Sequence, residues 1–351
     1  MYKPEYLFGK AVPEMGTTFE VAPGIYWMRM PLPFALNHIN LWLLEDGDGW
    51  TVVDTGIARD EVKAAWRTLA ATYFSADKPL KRIIVTHFHP DHVGLAGWMC
   101  AEFGVKLWMP MTEWTHARMS YLDDGKGQLD ETLSFYRGAG FDDKMSAQVN
   151  NRIGRFPSVV SPIPNSFNRI SEGDDIDIGG RNWRIIIGTG HSPEHACLYC
   201  GDAKILISGD QVLPRISPNV SVWPQQPTAN PLAQFLDSLK KFKHLPDDTL
   251  VLPSHDWPFY GLLGRLDDLT AHHEERLDAA WAACAVPATG VVVLNALFHR
   301  EFDAHQLFFA IGESLAHIHH LEHLGRVERE ICASGIHYFR QFSKTTSCLK
   351  L

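Results

Sequence analysis

The sequence Thr86-His87-Phe88-His89-Pro90-Asp91-His92 places four potential metal ligands within six residues. It follows the apolar run KRIIVT, which predicts a buried strand, and it precedes the helical pattern HVGLAGWMCAEF. Residues two positions apart in an extended chain project to the same side, so we expect His87 and His89 to bind one ion. Asp91 and His92, at the start of the helix, then face the opposite part of the same pocket.

Imidazole and carboxylate are ligands that suit zinc, with iron or manganese as alternatives. A metal ion with a vacant coordination position activates water near neutral pH. Three histidines and an aspartate at this spacing argue against a polar loop whose side chains only cap the helix. The motif therefore predicts a metal site that can activate water for a reaction.

The composition is that of an ordinary globular protein. Of the 351 residues 45% are hydrophobic and 21% are charged, and the length allows one large core with an appendage or two domains. The formal net charge of -9 disfavours nucleic acid as a partner. The amino terminus carries charges and prolines where a signal peptide needs an apolar run, and no 18 apolar residues follow one another, so we predict a cytoplasmic protein without a membrane partner.

Six cysteines in a long chain without an export signal predict reduced thiols rather than a disulfide framework. Cys197 and Cys200 form a C-x-x-C sequence without a second pair, which favours buried strand thiols over a structural zinc site.

Strands and helices alternate along the chain, which predicts an α/β fold. Three strands are predicted up to Asp54, in the sequences GIYWMRM, INLWLLED and WTVVD, and a helix is predicted over residues 61–74. An insertion over residues 113–169 is interpreted as a mostly helical cap. After the turn SEGDDIDIGG the strands NWRIIIGT, ACLYC and KILISGD return, Asn230-Pro231 starts a helix, and TLVLPSH is a final strand. Three helices and a hairpin follow, with a domain boundary near Gly264.

The sequence H-x-H-x-D-H after a strand resembles the signature of the metallo-β-lactamase superfamily. Over residues 20 to 260, matching positions follow apolar strands in the family's order: His191 in GTGHSPEH, Asp210 in ISGDQ and His255 in LPSHD. The resemblance implies an αββα sandwich domain over residues 1–264, interrupted by the helical cap at 113–169. The tail, residues 265–351, resembles the winged-helix-like appendage of β-lactamase-like proteins in that superfamily.

The resemblance also implies a dinuclear site with two divalent ions, for which zinc is the expected metal. In that assignment His87, His89 and His191 bind the first ion, Asp91, His92 and His255 bind the second, and Asp210 bridges both. Asp54 matches a position that orients a ligand histidine without binding metal itself; a strand-end turn with Thr55-Gly56 is the alternative. His195 has a family counterpart as well, and no specific role is assigned to it.

Such a site implies a hydrolase. Two ions about 3.5 to 4 Å apart hold a bridging hydroxide, polarise the scissile group and stabilise the leaving group. Asp91 and Asp210 are the predicted catalytic residues, and Asp91 accepts a proton from the bridging water or returns one to the leaving group. The predicted substrate is a small-molecule ester, thioester or lactone. The ligand set resembles that of glyoxalase II and its relatives, whose basic substrate-binding signature near the carboxyl end is not matched here.

The alternative is an endoribonuclease-like RNA phosphodiesterase, since some superfamily members with such a tail are ribonucleases. Against it, residues 266–351 hold seven lysines and arginines and eleven aspartates and glutamates, a formal balance of -4. The expected recognition helix, residues 303–324, contains no lysine or arginine. Its buried side is predicted to carry Leu307, Phe308, Ile311, Leu315 and Ile318, with His317, His319, His320 and His323 exposed. The tail is then a wall of the pocket or a contact in a homo-oligomer.

Overall fold

The structure is a computed structural model that describes residues 3–123, 125–150, 153–303 and 306–342. Its strands are β1 Glu5–Tyr6, β2 Phe19–Ala22, β3 Ile25–Pro31, β4 His38–Glu45, β5 Trp50–Val53, β6 Leu80–Ile84, β7 Lys106–Met109, β8 Asn168–Arg169, β9 Asp175–Ile178, β10 Arg181–Gly188, β11 His195–Cys200, β12 Ile205–Gly209, β13 Leu250–Pro253, β14 Phe259–Tyr260, β15 Val327–Ile331 and β16 His337–Gln341. Its α-helices are α1 Asp60–Tyr73, α2 Pro90–Val93, α3 Ala96–Phe103, α4 Met111–Leu122, α5 Leu129–Gly138, α6 Asp143–Asn150, α7 Pro231–Phe242, α8 Leu262–Ala283, α9 Gly290–Leu297 and α10 Gln306–His323.

The chain forms two compact units. The first unit comprises Met1–Asp124, Gly154–Pro218 and Ser238–Asp267, and the second comprises Gly125–Ile153, Asn219–Asp237 and Asp268–Leu351. Each unit is therefore assembled from separate stretches of sequence.

Two seven-stranded sheets build the first unit. One sheet has the order β2-β3-β4-β5-β6-β7-β8 and the other β1-β14-β13-β12-β11-β10-β9. Apolar side chains of both sheets, such as Trp42 and Ile185, form one core cluster between them, and the other face of the first sheet packs on α1 and α3. At the end of α7, Lys241 donates a hydrogen bond to the Ile187 carbonyl of β10 in the second sheet. This confirms the predicted αββα sandwich.

The predicted strands before residue 100 and the helix over residues 61–74 are confirmed, whereas the helical pattern over residues 92–103 is divided into α2 and α3. β3, β4, β5 and β6 fall on the four apolar runs, and α1 begins one residue before the predicted helix. One expectation was wrong in detail: within the segment interpreted as a turn, Asp175–Ile178 forms β9 and pairs with β10. Ile176 and Ile178 are buried while Asp175 and Asp177 are exposed, which is the period of a half-buried strand.

Helices dominate the second unit, together with one hairpin. Of the expected helices of the insertion, α5 and α6 lie in this unit, whereas α4 lies in the first unit. The predicted C-terminal hairpin is formed by β15 and β16. In this unit Tyr136 and Phe141 of the insertion stack 5.0 Å apart, and both contact the ring of Phe308 on α10. The aromatic residues of this part of the insertion therefore belong to an apolar core.

Helix α10 corrects one expectation about histidines. Phe308, Ile311, Leu315 and Ile318 are buried as predicted, but so are His317 and His319, with exposures of 0% and 2%. Their Nδ1 atoms donate to the carbonyl oxygens of Glu313 at 2.8 Å and of Ala229 at 2.9 Å. A histidine whose polar atoms find partners inside the protein does not need solvent, and the sequence pattern alone did not show those partners.

The two residues of the C-x-x-C sequence, Cys197 and Cys200, lie in β11 and are fully buried, as expected for strand thiols. All five cysteines within the described residues are free, and Cys348 lies outside those residues. In the part of the chain that is described, no helix combines the length and the apolar character needed to cross a bilayer.

Candidate metal centre

The ends of four strands supply the candidate ligands. β6 leads into the loop of His87 and His89 and then into α2, which begins at Pro90, a residue whose fixed φ suits the first helical position. His191 follows β10, Asp210 follows β12 and His255 follows β13. β12 and β13 are parallel, with Gly209 opposite Pro253, so the residues after them emerge side by side.

Four of these residues form a first group: His87, His89, His191 and Asp210. Nε2 of His87 lies 2.9 Å from Nδ1 of His89 and 3.2 Å from Nε2 of His191. Oδ2 of Asp210 is 3.4 Å from Nε2 of His191. Three ring nitrogens and a carboxylate oxygen thus converge on one point.

Asp91, His92 and His255 form a second group. Oδ2 of Asp91 lies 3.7 Å from Nε2 of His92 and 3.6 Å from Nε2 of His255. Asp210 also faces this group, since its Oδ2 is 3.5 Å from Nε2 of His92 and its Oδ1 is 3.3 Å from Nε2 of His255. The structure therefore brings together all seven residues of the predicted ligand set, with Asp210 between the two groups.

Four of the candidate ligand histidines have shifted pKa values, two downward and two upward. Burial and the neighbouring histidines hold the pKa of His87 and of His89 well below the usual value, so that both rings are neutral. Burial by itself lowers the pKa of His92 and of His255, but the carboxylate of Asp210 and its neighbours outweigh it and raise both. The pKa of Asp210 is well below its usual range, because His255 and His92 overcome the effect of burial.

Asp54 contacts the site through two residues. Its Oδ2 accepts a hydrogen bond from Nδ1 of His92 at 2.8 Å, and both carboxylate oxygens lie within 3.1 Å of the Thr86 hydroxyl. A carboxylate can only accept, so the hydroxyl proton goes to Asp54 and the hydroxyl oxygen accepts from Nδ1 of His87, 3.0 Å away. In the neutral form of each ring, protonated at Nδ1, Nε2 carries the lone pair and faces the group. Asp54 thus orients one histidine of each group, directly or through Thr86.

His195 acts on Asp210 rather than joining either group. Its Nε2 accepts a hydrogen bond from the Asp210 amide at 3.0 Å, and the ring packs against Gly209. Burial, followed by the nearby His191, lowers the pKa of His195 to about 3, so its ring is a neutral acceptor. The residue to which the sequence assigned no role is therefore a backbone anchor for Asp210.

Two further residues that contact the site, His38 and Glu113, were not predicted from the sequence. The carbonyl of His38 accepts from Nδ1 of His255 at 2.9 Å, and Nε2 of His38 accepts from the Asp256 amide. Glu113, fully buried, accepts hydrogen bonds from the loops of Phe88 and Ser192. His38 lies 217 residues from His255, and Glu113 is a lone glutamate in a helical pattern, so neither carries a local signal.

The donor set fits two divalent cations. Nε2 of His92 and Oδ1 of Asp210 are buried atoms without a hydrogen-bond partner among the described residues. Buried polar atoms normally have a partner. The facing ring nitrogens of His89 and His191 lie 2.9 and 3.2 Å from Nε2 of His87, close enough for one cation to accept the lone pairs of all three. Five imidazoles and two carboxylates are ligands that zinc, iron and manganese accept.

Comparisons with known proteins agree with this geometry. Residues 36–255 match the family model of the metallo-β-lactamase superfamily, and residues 277–342 match the model of the metallo-β-lactamase-like C-terminal domain. A β-lactamase domain protein from Burkholderia ambifaria has a structure that aligns with a TM-score of 0.89 at 40% identity, over 97% of this chain and 98% of that one.

Two curated relatives are more distant in sequence. The probable metallo-hydrolase YqjP of Bacillus subtilis is 25% identical over 84% of this chain and 91% of its own length. The acyl-coenzyme A thioesterase MBLAC2 of Bos taurus is 27% identical over 54% of this chain and 63% of its own length. With its seven candidate ligands brought together and both models matched, the chain belongs to the metallo-β-lactamase superfamily of metallo-hydrolases.

Proposed function

We propose that this protein is a two-metal hydrolase of small-molecule acyl compounds (esters, thioesters or lactones), with thioesters as the first class to test. The observation that carries the proposal is that Asp210 lies between two complete ligand groups, within 3.5 Å of a histidine of each. A site for a single structural ion needs four ligands and no second group beside it.

In this proposal His87, His89 and His191 would hold one zinc ion, Asp91, His92 and His255 would hold another, and Asp210 would serve as a ligand shared by the two groups. Two such ions supply Lewis acidity for the scissile carbonyl and lower the pKa of water at the site. The chain's own contribution is to fix the ligands in advance, through Asp54, Thr86 and His195, so that no reorganisation is needed when substrate binds.

Asp91 is the residue best suited to move a proton. Its side chain is 18% exposed, whereas the side chains of His92 and His255 are 0% and 2% exposed. A carboxylate at the solvent-facing side of the group can take a proton from an attacking water and return one to a leaving thiolate or alkoxide. His87 and His89, whose pKa values are lowered, stay neutral and do not compete for that proton.

Charge and burial favour a small acyl substrate over RNA. Nucleic-acid binding draws much of its affinity from phosphate neutralisation, and the net charge of -9 opposes it. In α10, eleven of the eighteen residues are buried, so this helix offers little surface to a groove. The bovine relative bears the name of an acyl-coenzyme A thioesterase, which places thioesters among the first substrates to try.

The test is turnover by zinc-loaded protein on acyl thioesters, lactones and aryl esters, run beside a phosphodiester. We expect metal-dependent acyl turnover that is lost in a chelator and restored by zinc. Asp210→Asn removes one charged oxygen from between the groups, and we expect at least about a 100-fold loss of turnover together with reduced zinc content.

Asp202→Asn is the matched control, because Asp202 is an exposed aspartate in the turn before β12, outside the site. It is expected to keep both the turnover and the zinc content of the natural chain. Full activity in the Asp210 variant would contradict the site assignment. Turnover of the phosphodiester alone would contradict the acyl substrate and favour the alternative function, an RNA phosphodiesterase.

A further inference from the structure

Glu113 lies in the first turn of α4, and its side chain is fully buried. Its carboxylate accepts three hydrogen bonds. Oε2 accepts from the Phe88 amide at 2.9 Å, and Oε1 accepts from the Ser192 hydroxyl at 2.9 Å and from the Glu194 amide at 2.6 Å. Among the described residues, no lysine or arginine forms an ion pair with this carboxylate. A carboxylate buried without a cation is costly, so packing alone does not explain it.

The three donors belong to two ligand loops that are far apart in sequence. Phe88 stands between His87 and His89, whereas Ser192 follows His191 directly. One carboxylate therefore joins the two segments that supply all three histidines of the first group, although His87 and His191 are 104 residues apart.

The contact between α4 and the second loop is reciprocal. The Glu194 amide donates to Glu113, and the Glu194 carboxylate accepts from the Thr112 amide at 2.8 Å. Thr112 lies in the first turn of α4, where backbone amides lack partners within the helix and favour a negative charge. Two opposed hydrogen bonds restrict sliding of the loop along the helix, which a single bond does not.

We propose that Glu113 is a positioning residue for the metal centre: it fixes the loop of His87 and His89 against the loop of His191, and so sets the spacing of the three ring nitrogens before metal binds. This inference rests on the proposed metal-dependent function, since it assigns Glu113 a role in metal affinity. Glu113 is not a member of either ligand group, and its effect is exerted through Phe88 and Ser192.

The test is the zinc affinity of purified full-length protein, measured without substrate by competition with a chromophoric chelator. Glu113→Gln keeps the shape of the side chain but turns one of its two acceptors into a donor that faces an N–H or O–H group. We expect about 10- to 100-fold weaker binding of one of the two zinc ions, as for other residues that orient ligands. The cobalt-substituted protein should show a changed absorption band, because the ligand geometry loosens.

Glu14→Gln is the matched control, since Glu14 is exposed and lies before β2. A second variant, Ser192→Ala, removes a single hydrogen-bond donor from the opposite side and is expected to weaken zinc binding about 3- to 10-fold. In the double variant with Glu113→Gln the two effects are expected to be less than additive, because both residues act on one network. This variant keeps the test decisive if Glu113→Gln folds poorly.

A merely structural role would lower the melting temperature of the metal-free protein and leave zinc affinity unchanged. Natural zinc affinity and cobalt spectrum in folded Glu113→Gln and Ser192→Ala would overturn the inference. If the natural chain binds two zinc ions but cleaves no acyl substrate, the proposed function fails while the affinity test of Glu113 still stands.

Discussion

Asp54 shows how one side chain can orient two metal ligands. Its φ of +61° lies in the left-handed region, which asparagine and aspartate tolerate better than other side chains. That conformation follows β5 and turns the carboxylate toward His92 and Thr86. No turn is assigned at Asp54, Thr55 or Gly56, and the left-handed backbone instead aims the carboxylate at the residues that it orients.

Asp54→Asn tests this at the residue scale. Asparagine keeps the backbone, but an amide N–H₂ toward Nδ1 of His92 favours the ring tautomer with its proton on Nε2, the atom that faces Asp91 and Asp210. We expect about 10- to 100-fold weaker zinc binding and a similar loss of turnover. Zinc titration and initial rates measure the two effects, with Asp202→Asn as control. Unchanged zinc affinity would contradict an orienting role for Asp54.

At the scale of elements, the end of β12 depends on a glycine. The register with β13 shifts between Ile207 and Gly209, and Gly209 has a φ of +54°. A Cβ at this position would lie 2.3 Å from Cε1 of His195, the ring that accepts the Asp210 amide. Strand end, ring and ligand are therefore packed as one unit.

Gly209→Ala should therefore disturb both stability and metal binding. The left-handed backbone alone costs about 1–2 kcal/mol for a residue with a Cβ, and the displaced His195 ring releases the Asp210 amide. We expect a lower urea midpoint and weaker zinc binding, measured on the same preparations. Gly201→Ala is the control, because a Cβ at Gly201 would have Cε1 of the Tyr199 ring as its nearest neighbour, at the ordinary contact distance of 3.7 Å. A Gly209 variant with the urea midpoint and zinc affinity of the Gly201 variant would contradict this account.

At the scale of the whole molecule, buried histidines outside the metal centre make stability depend on pH. Burial lowers the pKa of His317 and of His319 to about 4. Each group binds a proton more readily when the chain is unfolded, so its contribution is complete above about pH 6.5 and is lost as the pH falls toward 4. Burial raises the pKa of Glu313 to about 7, which opposes this trend, so the comparison is made between variants.

His317→Gln removes one of these groups, and we expect a shallower fall of the free energy of unfolding between pH 7 and pH 4.5. The difference amounts to at most about 3 kcal/mol for a pKa lowered from 6.5 to about 4. Urea unfolding in the presence of a chelator measures it without interference from zinc. His299→Gln, at an exposed position, should keep the natural pH dependence. A variant at His317 with the natural slope would show that this ring is not buried neutral.

The sequence by itself determined the family, the αββα sandwich and the seven candidate ligands that the structure brings together. These rest on local information: a dense motif after a strand, apolar runs with a definite period, and ligands that each follow a strand. Helix α7 is a further example, since it starts at the predicted Asn230-Pro231 and the Asn230 side chain accepts the Ala233 amide as its N-cap. Contacts between neighbours in sequence need no knowledge of the rest of the chain.

Only the tertiary structure decided which residues support those ligands. Glu113 and His38 act through partners that are far away in sequence, and Thr86 receives its role from Asp54, 32 residues earlier. These residue types occur everywhere as ordinary surface or helix residues. The burial of His317 and His319 could likewise not be predicted from the sequence, because it depends on which residues pack on α10. Metal chemistry leaves a pattern in sequence since each ligand must be a particular residue type, whereas an orienting contact needs only a donor or an acceptor that folding brings within about 3 Å.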